Sequence, residues 1–193
     1  PHPLDNHWRM ALDRMQDNYA GQGFRLLGVA DRSMSPDCTQ VAVEDEALLT
    51  LVGFCVFADP PKRDAAEAVK SLLARGVRIK VLSGDHPAVV AHVAKAVGLP
   101  ASSILTGNEI AALTDRALAA RIKDTDLFAR IDPEQKRRII QTLRQRGHVV
   151  GFLGDGVNDA PAIHAAHVGI SVAGATEVAR AAADIDRKST RLN

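Results

Sequence analysis

From Leu48 onward the chain alternates short apolar runs with stretches in which apolar residues recur every three or four positions, the pattern of strands alternating with helices. Leu51 to Phe57 is nearly continuously apolar and predicts a strand covered on both faces, ended by Asp59-Pro60-Pro61-Lys62. Asp64 to Arg75 predicts an amphipathic helix through Ala65, Ala68, Val69 and Leu72, with Gly76 past its end. Val77 to Leu82 predicts the next strand, and it runs into Ser83-Gly84-Asp85. Pro87 opens a helix that Gly98 closes. Leu105 to Ile122 reads as a loop and a weaker helix with Thr114 as N-cap, Leu127 to Ile131 as a short strand, and Pro133 to Arg146 as a basic amphipathic helix stopped by Gly147. A strand over Val149 to Leu153, a helix to Ala166, a strand over Val168 to Val172, a turn at Gly174 and a helix from Thr176 to about Ala183 complete the series. Such alternation predicts a doubly wound α/β fold with a parallel sheet and right-handed crossovers.

The first fifty residues read differently. A helix over Trp8 to Tyr19, with Trp8, Leu12 and Met15 on one face, ends at Gly21 and Gly23, and Phe24 to Ala30 is a strand. Asp31 to Gln40 is a loop, and Gln40 to Val43 is a further candidate strand. The pattern starts without a cap or turn before Pro1, so residues 1–50 are expected to be an α+β remnant of a preceding domain. Residues 51–185 then form the α/β domain, and 186–193 abandon the apolar pattern as a polar tail set apart from the fold.

Composition narrows the picture. The hydrophobic fraction is 46% but aromatics are 4%, so the core must come from Val, Leu, Ile and Ala. With 24 basic and 23 acidic residues no strong field points to nucleic acid or a membrane surface. Cys38 and Cys55 have no metal-ligand spacing, and Cys55, in an apolar strand, is expected in the core. Trp8 and Met15 are assigned to the core as well. His164 and His167 lack a third ligand and read as surface residues, His92 and His148 have no evident partner, and Lys123-Asp124 and Arg137-Arg138 read as solvated helix faces.

Chemistry gathers where strands end. Val149 to Leu153 stops at Gly154-Asp155-Gly156-Val157-Asn158-Asp159, and Pro161 lies in the first turn of the following helix. Acidic turns at the carboxyl ends of parallel strands suit Mg²⁺ and phosphate chemistry, and the glycines on either side of Asp155 allow a sharp turn. An ordinary helix N-cap by Asp159 fits the same residues. Ser83 supplies a hydroxyl for a phosphoryl oxygen and Lys136 a positive charge, which with a metal-binding carboxylate are parts that phosphoryl transfer requires. Lys136 fits a solvated helix face equally well. A nucleophile is missing from the set.

In their order, Asp59-Pro60-Pro61-Lys62, Leu82-Ser83-Gly84-Asp85, Phe128-Ala129-Arg130-Ile131-Asp132-Pro133 with Lys136, and Gly154 to Ala162 resemble the motifs of P-type cation-transporting ATPases, members of the haloacid-dehalogenase-like phosphotransferases. The resemblance covers about Gly21 to Ile185. Phe57 to Lys62 and Gly151 to Asp155 are most similar to the magnesium-transporting branch, while Ala175 to Arg180 is also similar to proton pumps.

The resemblance implies a Rossmann-like, haloacid-dehalogenase-like sheet, Mg²⁺ as cofactor and ATP as substrate. Asp155 would ligate Mg²⁺, with Asn158 and Asp159 shaping the metal and phosphate site. Ser83, in place of the more usual Thr, would bind phosphoryl oxygens with Gly84 and Asp85, and Lys136 would stabilise phosphoryl charge. Asp59, Pro60, Pro61 and Lys62 would form the hinge beside ATP, with Lys62 where Arg is more common and His86 where Asn is usual. Such pumps phosphorylate an Asp in Asp-Lys-Thr-Gly-Thr, which this sequence lacks. The resemblance therefore implies the cytoplasmic-side part of a cell-membrane pump, partnered by ATP, the transported cation and the rest of the polypeptide. It also predicts a gap between the strands at Val77–Leu82 and Val149–Leu153, and a marginal fold. A stand-alone phosphatase and a non-catalytic Mg²⁺ or nucleotide-binding module are the alternatives.

Overall fold

The computed structural model describes residues 3–186. Helix α1 (Asn6–Gly21) starts where the Asp5 carboxylate accepts the Trp8 amide. It leads into an antiparallel ribbon of β1 (Phe24–Asp31) and β2 (Thr50–Ala58), with Phe24 opposite Ala58 and a bulge between Val29 and Ala30. After α2 (Ala65–Ala74) come β3 (Val81–Leu82), α3 (Pro87–Ala96), β4 (Ile104–Thr106), α4 (Gly107–Ala112), α5 (Asp115–Arg121) and β5 (Leu127–Ala129). Then follow α6 (Pro133–Gln145), β6 (Gly151–Gly154), α7 (Ala160–Ala165), β7 (Val168–Ser171), α8 (Glu177–Ala182) and β8 (Ile185–Asp186).

The α/β expectation holds in an open form. Parallel strands form two three-stranded sheets, ordered β3-β5-β4 and β6-β7-β8, instead of one continuous sheet. No described strand lies between β3 and β6, so each sheet presents an unpaired edge there. This separation is the gap expected from the sequence. It also explains why β3 shrinks to two residues. Val81 and Leu82 pair on one side only, with Leu127 and Phe128. Just before them, the Lys80 ammonium donates to Ile122 O, Thr125 O and Asp126 Oδ1. Burial pushes the Lys80 amine down despite Asp126, and Asp126 itself sits below the usual carboxylate range because hydrogen bonds from Arg78 and Lys80 outweigh its desolvation.

One apolar cluster joins the halves. Helix α6 buries Ile139, Ile140 and Leu143 against Phe128 of one sheet and Phe152 of the other, with Ile163 of α7 beside them. Its start is fixed by a capping box in which Asp132 accepts the Gln135 amide and Gln135 accepts the Asp132 amide, with Pro133 at the first helical position. A smaller cluster of Val90, Ala94, Leu99, Leu127 and Ala129 packs α3 onto the first sheet.

Several expectations fail near the amino end. Gln40 to Val43 is no strand; a 3₁₀ turn at Val43–Asp45 forms, with Asp45 Oδ2 accepting the Ala42 amide. The Leu51–Phe57 strand exists but is not covered on both faces: Val52 is 64% and Phe57 50% exposed, because its described strand partner is β1 alone. Cys55 is exposed with it, and Trp8, 49% exposed, is not core; α1 buries Ala20 instead. Leu105 belongs to a strand, β4, and Thr114 caps α5 as expected. Asp186, placed in the tail by its sequence, pairs in β8 and accepts from the buried Ser171 hydroxyl at 2.8 Å. The rest of that tail, 187–193, lies outside the described residues.

Because Ile139 is fully buried where the halves meet, Ile139→Ala is expected to lower the unfolding free energy by about 2–5 kcal/mol in urea titrations. Val52→Ala, on the exposed ribbon, should change it by less than roughly 0.5 kcal/mol.

Candidate active site

Two turns at the carboxyl ends of β3 and β6 face each other across a cleft of about 670 Å³ lined by Val77 to Ser83, Lys136, Gly151 to Asp155, and Asp159. Such strand ends are where open α/β sheets gather ligands.

The first turn is built by hydrogen bonds from its own residues and from the segment after β5. Ser83 Oγ donates to Asp85 Oδ2 at 2.8 Å and accepts the Asp85 amide at 3.1 Å. The amides of Ile131 and Arg130 donate to the carbonyls of Ser83 and Asp85. Holding that position puts Arg130 at φ +50°, an uncommon conformation for a side-chain-bearing residue. Its carbonyl lies so close to Gly107 that a Cβ there would sit 2.2 Å from the oxygen, so only glycine fits.

The second turn is organised by Asp159. Its Oδ1 accepts from Lys136 Nζ at 2.7 Å, and its Oδ2 accepts the amides of Asp155 and Gly156, both at 3.3 Å. The side chains of Lys136 and Asp159 are only 11% and 13% exposed, so Lys136 does not lie on a solvated face. Asp159 reaches back over the turn instead of capping α7. Gly154 makes this possible. A Cβ on it would lie 2.6 Å from Asp159 Cβ. The glycines around Asp155 thus serve close approach, not the positive φ that a sharp turn suggested, since neither has one.

Asp155 is exposed, and among the described residues its carboxylate accepts no hydrogen bond, while its carbonyl accepts the Thr176 amide that starts α8. Asn158 is exposed on the 3₁₀ turn Val157–Asp159.

The family model for haloacid dehalogenase-like hydrolases matches residues 19–167. The chain belongs to this family. This haloacid dehalogenase-like chain is also 45% identical over 183 residues to "Magnesium-transporting ATPase, P-type 1" of Salmonella typhimurium LT2, and 44% identical over 183 residues to the Escherichia coli K12 protein of that name. Each match covers 95% of this chain and 20% of the relative. A Mycobacterium tuberculosis H37Rv protein described as "Probable cation-transporting ATPase F" is 38% identical over 192 residues, across 95% of this chain and 21% of the relative. The haloacid dehalogenase-like chain therefore spans about a fifth of the length of these curated relatives.

The structure brings Ser83, Lys136, Asp155 and Asp159 to one cleft. Asp59, Pro60 and Pro61 lie in an adjoining cavity of about 210 Å³ that shares Ser83 and Asp85 with it, whereas Lys62 and Asn158 line neither. Gly84 sits in the turn with Ile131 O 3.7 Å from where its Cβ would be, ordinary contact distance. Arg25 escaped the sequence reading. Its Nη2 lies 2.8 Å from Asp85 and 3.7 Å from Asp59, linking β1 to both the hinge and the first turn. Its register opposite Phe57, two residues before Asp59, is the only signal, and that requires knowing the β1–β2 pairing.

Other side chains depart from expectation. Arg138 is no solvated residue: it binds Asp115 and the carbonyls of Ile110 and Leu113. Arg137 does remain exposed, paired with Glu134. His167 accepts the Val150 amide through Nδ1 and His92 meets the Gly21 carbonyl.

Among the described residues no three His, Cys, Asp or Glu side chains converge as a metal cluster. The donor set still suits Mg²⁺, which keeps several waters and takes one or two carboxylates together with substrate phosphate oxygens. Asp155 is the carboxylate free for that purpose.

Lys136 and Asp159 form a nearly desolvated pair. Asp159→Asn is expected to cost roughly 3 kcal/mol of stability, with Asp159→Asn/Lys136→Met recovering part of it. Urea unfolding of the two single variants and the double variant measures this directly.

Proposed function

We propose that the chain forms the Mg²⁺- and phosphate-binding half of the phosphorylation site of a P-type cation pump. The intact pump would use ATP to phosphorylate an aspartate and couple its hydrolysis to transport, with Mg²⁺ as the cation. The convergence of Ser83, Lys136 and Asp155 on one cleft between strand ends carries this reading. The similarity to magnesium-transporting ATPases supports the choice of cation.

In this reading Ser83 releases its hydroxyl from Asp85 to donate to a phosphoryl oxygen, and Gly84 and Asp85 shape the turn around it. Lys136, oriented by Asp159, places its ammonium against the same group as negative charge accumulates. Mg²⁺, held by Asp155 and the phosphate itself, with Asp159 close by, neutralises charge on the transferring phosphoryl. Asn158 borders the metal and phosphate site. Asp59, Pro60, Pro61 and Lys62 form the hinge towards the nucleotide, and Arg25 ties that hinge to the first turn. We place the acceptor aspartate on a further strand of the pump polypeptide, entering between the unpaired edges of β3 and β6. The pump would sit in the cell membrane with this part on the cytoplasmic side; no described helix is long and apolar enough to cross a membrane.

Titration of Mg²⁺ into the chain, followed by calorimetry, is expected to give a binding heat that Asp155→Ala weakens roughly tenfold or more, about 1.4 kcal/mol. Equal heats for the two proteins would reduce the second turn to a structural element. The purified chain should form no hydroxylamine-labile phosphoenzyme from ATP, and one formed on its own residues would favour a self-contained phosphatase or kinase instead.

A further inference from the structure

The amino-terminal unit of α1, β1 and β2 meets the α/β domain at the first turn, and His86 stands at the joint. Its Nδ1 accepts the Ala88 amide at 3.3 Å and so caps α3. Its Nε2 lies 3.2 Å from Asp17 Oδ1 on α1. The ring, with 18% of its side chain exposed, thus serves two elements at once. One tautomer satisfies both contacts: neutral imidazole with its hydrogen on Nε2, donating to Asp17 and accepting from Ala88.

We propose that His86 is a proton-sensitive pin that holds α1 against the phosphate-binding turn, and that protonation of its ring releases the amino-terminal unit from α3. A proton on Nδ1 would face the Ala88 N–H, so the cap is lost. The added charge would stand at the amino end of α3, where the helix macrodipole is already positive.

The charged surroundings decide the balance. Arg130, after β5, opposes a second positive charge, and burial opposes it more strongly; Asp17 favours it, and the net effect holds the imidazole below its ordinary range. Asp17 is 69% exposed, so its attraction is weakened by water. The Asp85 carboxylate, next in sequence, is engaged by Arg25 from β1 and by Ser83. His92, further along α3, meets the Gly21 carbonyl through Nδ1, a contact that an N–H donor makes in either charge state. The sign follows. The released unit binds more protons than the docked one, so docking is complete above about pH 6.5 and weakens as pH falls below it.

Because the joint is independent of catalysis, the test needs no turnover and its failure leaves the active-site reading untouched. Hydrogen exchange of the full chain at pH 7.5 and 5.5, corrected for intrinsic exchange rates, should show α1 losing roughly three- to tenfold protection relative to α6 at the lower pH. His86→Asn keeps a good N-cap but cannot titrate, and its α1 protection should stay level. In Asp17→Asn, the His86 imidazole titration followed by NMR should move to lower pH. The same acid loss in His86→Asn, no loss in the unaltered chain, or an unmoved imidazole titration in Asp17→Asn would each overturn the proposal.

Discussion

The ion pair of Lys136 and Asp159 is the constraint on which the site depends. It joins the first turn of α6 to the turn after β6, and its carboxylate simultaneously fastens the amides of Asp155 and Gly156. Burial makes the pair demanding: each charge is tolerable there only because the other is present. The same bond aims an ammonium at the cleft and leaves Asp155, at the apex of the turn, without an internal partner. Gly154 is the accommodation that lets the carboxylate approach so closely.

The first turn is held by different means. No buried ion pair supports Ser83; three backbone amides and a strained Arg130 do. Strain at such a position persists only where its surroundings over-determine it, here through the Asp85 carbonyl on one side and Gly107 on the other. The two turns are therefore individually fixed, but their separation depends on how α6 packs between the sheets. Alignment of reacting groups is sensitive to displacements near an ångström, so packing at Ile139 and Phe128 bears on chemistry that neither residue touches.

Much of this was readable in the sequence because it is local. Caps and breakers such as Thr114, Pro133 and Gly147, and the order of the turn motifs, are encoded within a few residues. The core of the α/β domain followed from its periodicity. What escaped depends on distant partners. The exposure of Leu51 to Phe57 follows from what lies on either side of the ribbon, which an apolar run does not specify. Lys136 gave the same pattern whether solvated or buried, and Arg138 was misread for the same reason. Arg25 could be placed only with a strand register in hand. The role of Gly154 needed the position of a side chain five residues on, whereas the sequence suggested only a tight turn.

The separation of the sheets also bears on how the molecule assembles. Residues 81–129 supply all three strands of one sheet, and residues 151–186 all three of the other. Each sheet closes over short sequence separations, so the entropy of loop closure is modest within each half. Two early-forming units, meeting late over α6, are the expected folding order. The cleft is then a seam between folding units, its two walls made separately before they face one another.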